Sequence, residues 1–82
     1  MRFHWNRVNS AEVKAHGVDP ATAEAVFSAA DLGIEKDPRT PNRFIAEGTV
    51  ADRFYRVPFS SVFPEGIRIT TAFPLSRRRR RT

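Results

Sequence analysis

The chain has no cysteine and only two histidines among its 82 residues. Without cysteine it can form neither disulfides nor thiolate metal sites, and two histidines are too few for a zinc site by themselves. We therefore expect no metal and no other cofactor. The lack of disulfides is typical of a reducing compartment, so the sequence predicts a cytoplasmic protein.

Long apolar runs are missing as well. No stretch approaches the roughly 20 apolar residues that a membrane span needs, and the N-terminus has no apolar region of the signal-peptide kind. We therefore expect a soluble protein that does not interact with membranes. No internal repeat and no Gly/Ser linker divides the sequence, so it predicts one small domain.

The excess of positive charge is confined to one end of the chain. Lys and Arg number 14 against 9 Asp and Glu. Five of these arginines form a single run: Arg77, Arg78, Arg79, Arg80 and Arg81. Outside the run, basic and acidic residues are equal in number, nine of each. The sequence predicts a domain over residues 1–76 and a basic tail over residues 77–82, which either stays solvated or contacts a polyanion such as RNA or an acidic partner.

Two helices are indicated by their end signals. The stretch "NSAEVKAHG" predicts a short helix with Asn9 as N-cap and with Gly17 ending it in the left-handed conformation. A second helix is expected from Asp19 as N-cap, because Pro20 suits the first helical position. Its apolar stripe, at spacings of three and four residues, consists of Ala23, Val26, Phe27 and Ala30.

Strands are expected on both sides of these helices. "RFHW" near the N-terminus predicts a short strand, and "RFIAEGTVADRFYRVPF" predicts two strands joined near Ala51 and Asp52, with Pro58 at an edge or a strand end. "EGIRITTAF" predicts one more strand, with Ala72 on the same side as Arg68. The fold class predicted is α+β, with two N-terminal helices packed on one face of a small antiparallel sheet.

The alternation of side chains along these strands divides the sheet into two faces. The residues expected in the core are Val26, Phe27, Phe44, Tyr55, Val57 and Ile69. Arg43, Arg56 and Arg68 fall on the opposite face. An antiparallel sheet often leaves one face to water, so these arginines either form an ordinary solvated face or bind a ligand there.

Four stretches in this order carry a family resemblance: "FHW", "KAHGVDPATAEAVF", "RFIAEG" and "IRITTAFPLSRRRRR". Together they resemble the BrnT family of bacterial type II toxins, over nearly the full chain. The resemblance implies a RelE-like fold and a metal-independent ribonuclease that inhibits translation. It also implies a ribbon-helix-helix antitoxin of the BrnA type as partner, with a heterotetramer as the expected complex.

The chain departs from the pattern of that family at three positions. Ala15 stands where those toxins typically carry lysine, Phe73 where they carry arginine, and Arg79 where they carry glutamate. Two cations and one acid are therefore replaced. These changes predict weakened RNA cleavage, and they leave open a module of the same fold that binds RNA or antitoxin without catalysis. A small interaction domain whose arginine run binds an acidic partner is a third alternative.

Cleavage through the ribose 2′-OH requires proton transfer and stabilisation of negative charge at phosphorus. His16 is the candidate for proton transfer, because the ordinary pKa of histidine suits neutral pH. Its position just before Gly17 also fits a purely structural role at the helix end. Arg43 and Arg68 are the candidates for charge stabilisation. The residues expected to bind RNA are Lys14, Arg56, Phe73 as a stacking ring, and the arginines of the tail.

Overall fold

The computed structural model describes residues 2–62 and 65–75. In chain order its elements are α1 (Arg7–Ala15), α2 (Pro20–Val26), β1 (Gly33–Lys36), β2 (Arg43–Val50), β3 (Arg53–Ser61), β4 (Ile67–Ile69) and β5 (Phe73–Leu75). Two helices followed by an antiparallel sheet confirm the α+β class. Among the described residues, neither helix is long and apolar enough to cross a membrane. The basic tail predicted over residues 77–82 lies outside them.

The five strands form one sheet in the order β1-β2-β3-β4, and β5 also pairs with β3. All of these pairings are antiparallel. The β2–β3 hairpin turns at Ala51 and Asp52, with φ values of 50° and 69°. Positive φ at both central residues is the geometry of a type I′ turn, which matches the twist of the strands it joins. The predicted hairpin is therefore confirmed.

Helix α1 begins earlier than the sequence suggested. Its N-cap is Asn6, whose side chain accepts a hydrogen bond from the Asn9 backbone N–H, while the Asn9 side chain accepts one from the Asn6 N–H. The prediction of Asn9 as N-cap is wrong, because Asn9 occupies the third helical position of this capping box. Its side chain is turned into the core instead, where it hydrogen-bonds to β4.

The C-terminal end of α1 is formed as predicted. Gly17 has φ 79°, its N–H donates to the Lys14 carbonyl, and the N–H of Val18 donates to the Val13 carbonyl. These two bonds make a Schellman motif, which satisfies carbonyls that a helix end leaves unpaired. Val13 and Val18 are both buried, so the motif also anchors the end of α1 in the core.

Helix α2 starts at Pro20 after Asp19, as predicted, although the Asp19 side chain makes no capping hydrogen bond. Ala23 and Val26 are fully buried against the sheet. The helix ends at Val26, so Ala30 lies beyond it and is exposed; its predicted place in the apolar stripe is wrong. Four of the predicted core residues are buried, whereas Phe44 and Tyr55 are half-buried and pack against that core.

The first and the last of the predicted strands differ from expectation. "RFHW" contributes only an isolated parallel bridge between Phe3 and Ile67, not a strand. The last predicted strand is divided into β4 and β5, and Ala72 between them is fully buried. The alternation that placed Ala72 beside Arg68 does not hold, because it requires an unbroken strand and the pairing with β3 stops after Ile69.

Pro58 lies in the interior of the central strand β3, not at an edge or a strand end. Its carbonyl accepts a hydrogen bond from the Thr70 N–H, which belongs to the connection between β4 and β5. In an antiparallel ladder the N and O atoms of one residue point to the same side. The proline nitrogen therefore faces this break in pairing, where its missing N–H interrupts no bond to β2.

Candidate nucleic-acid interface

One face of the sheet is packed against the helices and the other is open. The outward residues of β2, β3 and β4, which we call the open face, are Arg43, Ile45, Glu47, Thr49, Phe54, Arg56, Pro58, Ser60 and Arg68. None of them is buried. The buried residues of the sheet all belong to the opposite side or to the β4–β5 connection, where they meet Val13, Val26 and Phe27 from the helical layer. The three arginines predicted on one face are thus confirmed in that position.

Two of these arginines flank a serine. Arg43 on β2 is the register partner of Ser60 on β3, and Ser60 is the partner of Arg68 on β4. We call Arg43, Ser60 and Arg68 the arginine row. Neighbouring strands lie about 4.8 Å apart, so the backbones of the two arginines are separated by about 10 Å. Two long side chains at this spacing can both turn toward one anion above the serine hydroxyl.

Arg43 is held close to the sheet and keeps donor capacity. Its Nε is buried and lacks a hydrogen-bond partner among the described residues. Asp37 is bonded to Arg43 through the backbone, since the Asp37 N–H donates to the Arg43 carbonyl at 2.9 Å. The backbone N–H of Arg39, more than the charges of Arg39 and Arg43, holds the pKa of Asp37 below its ordinary value. Because this Nε is enclosed by the protein, only the terminal N–H groups of the Arg43 guanidinium can donate to a ligand.

Arg68 is exposed at the other end of the row. Within residues 2–62 and 65–75 its side chain forms no hydrogen bond or ion pair. Guanidinium groups bind phosphate through paired N–H donors, and a serine hydroxyl can add a third donor. The arginine row is therefore suited to a phosphate group.

Arg56 is in a different situation from the other two arginines. Its Nε donates to Glu47 Oε2 at 2.6 Å, and these two residues are cross-strand partners on β3 and β2. Arg56 lies four residues from Ser60 along β3, which is about 13 Å in an extended strand. Within the part of the chain that the structure describes, the open face thus carries at one end two arginines whose side chains make no hydrogen bond or contact ion pair, and at the other end the Arg56–Glu47 ion pair.

His16 lies at the end of α1 and contacts strand β5. It is the C-cap of α1, with Nε2 at 3.3 Å from Glu12 Oε2 and its ring centroid 5.8 Å from that of Phe73. Phe73 is the register partner of Arg56. The structure therefore places His16 beside Phe73, and among the described residues no contact joins it to Arg43 or Arg68, with which it was predicted to act.

The remaining candidates are dispersed. Lys14 is exposed in the last turn of α1, and Phe73 is half-buried at the start of β5. The tail arginines, Arg77 to Arg81, lie outside the described residues. Ser60 was missed by the sequence reading because only the strand register shows that it lies between two arginines. Glu12 was also missed; it accepts from His16 and from Thr71 Oγ1.

Among the described residues, no three His, Cys, Asp or Glu side chains are grouped so that they could hold a metal ion. Comparison of the sequence with known proteins gives no further assignment, since it matches no protein-family model and no curated protein. The arginine row and the residues around it therefore carry the functional argument.

Proposed function

We propose that this chain is a BrnT-like toxin of a bacterial type II toxin-antitoxin system and that it binds RNA through the open face. The observation that carries the proposal is the arginine row, in which two arginines and a serine lie on three adjacent strands. Neither arginine side chain forms a hydrogen bond or contact ion pair with another described residue. Phosphate contacts of this kind supply nearly all of the non-specific affinity of proteins for nucleic acids. The order of sequence motifs described above supports the same assignment.

The chemistry of the open face suits a nucleic-acid backbone better than an acidic protein surface. Ile45 and Pro58 lie between the arginine row and the Arg56–Glu47 pair, so the cations border an apolar strip. A chain with phosphates at its edge and flat bases toward its centre matches this arrangement. The basic tail adds charge that attracts the same ligand. Such a target is met in the cytoplasm, where the proposed toxin acts.

RNA cleavage requires a proton-transfer group in addition to the cations that bind RNA. A proton-transfer group must come within hydrogen-bond reach of the reacting ribose or leaving oxygen. His16 contacts Phe73, and the register partner of Phe73, Arg56, lies about 13 Å along β3 from the arginine row. This separation favours a second candidate, a module of the same fold that binds RNA without cutting it. The substitutions at Ala15 and Phe73 support the same alternative.

The partner in the proposed system is a ribbon-helix-helix antitoxin of the BrnA type, which assembles with the toxin into a heterotetramer. Co-expression of such an antitoxin should relieve any growth arrest that the toxin causes. Purification of the two chains together should give a complex with two copies of each. A toxin that is neutralised by no antitoxin of this type would contradict the assignment of the partner.

The proposed function is tested by inducing the chain in bacteria without antitoxin and measuring growth and RNA cleavage. The variants are Arg43→Gln/Arg68→Gln and, as a control with equal loss of charge, Arg7→Gln/Arg53→Gln. Arg7 and Arg53 are exposed residues outside the open face. If the chain is a toxin, the natural chain and the control variant should arrest growth, and Arg43→Gln/Arg68→Gln should not. RNA binding without arrest supports the binding module, whereas absence of RNA binding in the natural chain contradicts both candidates.

A further inference from the structure

Among the described residues, the Arg56–Glu47 pair is the one ion pair of the open face whose two groups are in direct contact. The contact is a single short bond from Arg56 Nε to Glu47 Oε2, 2.6 Å long. Glu47 is the more enclosed partner, with 29% of its side chain exposed against 44% for Arg56. Glu47 and Arg56 lie directly opposite each other on β2 and β3, so the strand pairing itself places the two side chains in contact.

The carboxylate of Glu47 cancels the charge of Arg56 for any anion that approaches the face. It occupies only the Nε donor, and the guanidinium makes no other hydrogen bond among the described residues. Donors for a phosphate therefore remain on Arg56, while the electrostatic attraction is offset by a negative charge in contact with it. A phosphate placed there would also be repelled by Glu47.

We propose that Glu47 withholds Arg56 from phosphate and thereby restricts anion binding on the open face to the arginine row. This inference rests on the proposed RNA-binding function. It identifies Glu47 as the residue that limits the affinity of the open face for RNA and the length of sheet that the RNA contacts. Removing the charge of Glu47 extends the contact about 13 Å along β3, from the arginine row to Arg56. Glu47 thus sets where along the sheet a bound strand is held.

The test measures the affinity of a labelled single-stranded RNA oligonucleotide for the full chain at several salt concentrations. Glu47→Gln removes the charge and keeps an oxygen that can accept from Arg56 Nε, whereas Glu47→Ala removes both. We expect each variant to bind roughly two- to fivefold more tightly, the range set by the strength of an exposed ion pair. The log-log salt slope should steepen by about 0.7, the contribution of one added phosphate contact on a single strand.

Further variants show whether the gain comes from Arg56. Arg56→Gln should change binding little in the natural chain and should abolish the gain in the Glu47→Gln background. Glu65→Gln, which removes one exposed acid outside the open face, controls for net charge. Unchanged affinity in Glu47→Gln would overturn the proposal. Weaker binding in Glu47→Ala with unchanged binding in Glu47→Gln would also overturn it, because Glu47 would then position Arg56 for the ligand.

Elution from immobilised heparin separates this proposal from the function on which it rests. Heparin is a polyanion that binds free cations whatever the natural ligand is. Suppose that Glu47→Gln elutes at higher salt, but that Arg43→Gln/Arg68→Gln does not change RNA binding. The proposed function is then wrong, whereas the proposal that Glu47 withholds Arg56 is confirmed. If the arginine row is needed for RNA binding and Glu47→Gln elutes unchanged, the proposed function stands and this inference fails.

Discussion

The buried side chain of Asn9 donates a 2.8 Å hydrogen bond to the backbone carbonyl of Ile69, across 60 residues of chain. The same Nδ2 donates to the carbonyl of His4 at 3.1 Å, and Oδ1 accepts from the Asn6 N–H at 2.7 Å. One amide therefore joins the start of α1, the N-terminal segment and β4. Because β4 also carries Arg68, this bond helps to fix one end of the arginine row.

Replacing Asn9 with aspartate should lower the free energy of unfolding by about 2–6 kcal/mol. Aspartate keeps the size of the side chain and loses the donor, so the carbonyls of Ile69 and His4 are left unpaired at about 1–3 kcal/mol each. Chemical denaturation at neutral pH measures the loss. Val8→Ala, an exposed position of the same helix, is the control and should stay within about 0.5 kcal/mol. A change in Asn9→Asp no larger than in the control would contradict the role of this bond.

The position of Asn9 also shows where the sequence was informative and where it was not. Local signals correctly predicted α2 after Asp19 and Pro20, the end of α1 at Gly17, and the hairpin turn at Ala51 and Asp52. Asn6 and Asn9 are equally good N-caps by local chemistry. In the structure Asn6 is the cap, and Asn9 donates to the Ile69 carbonyl, a long-range contact that no local pattern contains.

Strand β1 was missed for a related reason. All four of its residues, Gly33–Lys36, are exposed, so they show no apolar alternation, and glycine opens the strand. It forms because its register with β2 supplies backbone hydrogen bonds. In the candidate site, alternation found the face of the three arginines. The pairing of Arg56 with Glu47 and the place of Ser60 between Arg43 and Arg68 required the register.

Gly48→Ala should destabilise the protein by about 1–3 kcal/mol, the usual cost of overpacking. A Cβ at this position would lie 2.8 Å from the Cβ of Ala29 and 3.2 Å from the Val26 carbonyl oxygen. The end of α2 would have to move away from β2. Gly33→Ala is the matched control, because a Cβ there meets nothing within 4 Å. Equal unfolding midpoints for the two variants would show that this close approach does not limit packing.

Asp37 should contribute a pH-dependent part of the stability. The pKa of its carboxyl is lowered in the folded chain, first by the Arg39 backbone N–H. Its contribution is therefore present above the unfolded pKa of about 3.9 and is lost as the pH falls through the lower folded pKa. Asp37→Asn should be less stable than the natural chain near pH 6 and should converge with it in strong acid. A difference that stays constant with pH, in urea titrations, would contradict this assignment.

His16→Gln should leave RNA affinity unchanged and cost at most about 1 kcal/mol of stability, because a histidine at a helix end contributes an amount of that size. His16 contacts Glu12 and Phe73, away from the arginine row. If the chain cleaves RNA with His16 as the proton-transfer group, the same variant should cut roughly 10²–10⁴-fold more slowly with binding intact. A loss of binding that parallels any loss of cleavage would contradict the separation of the two groups.

The central claim is that Arg43 and Arg68 act together as the phosphate contact of the open face. Its most direct test is the salt dependence of single-stranded RNA binding by the full chain, with the basic tail present throughout. The account predicts that Arg43→Gln/Arg68→Gln weakens binding at low salt and lowers the log-log slope by about 1.4, twice the contribution of one contact. Arg7→Gln/Arg53→Gln, with the same net charge, should keep the natural slope. Equal slopes and affinities for the two double variants would contradict the claim.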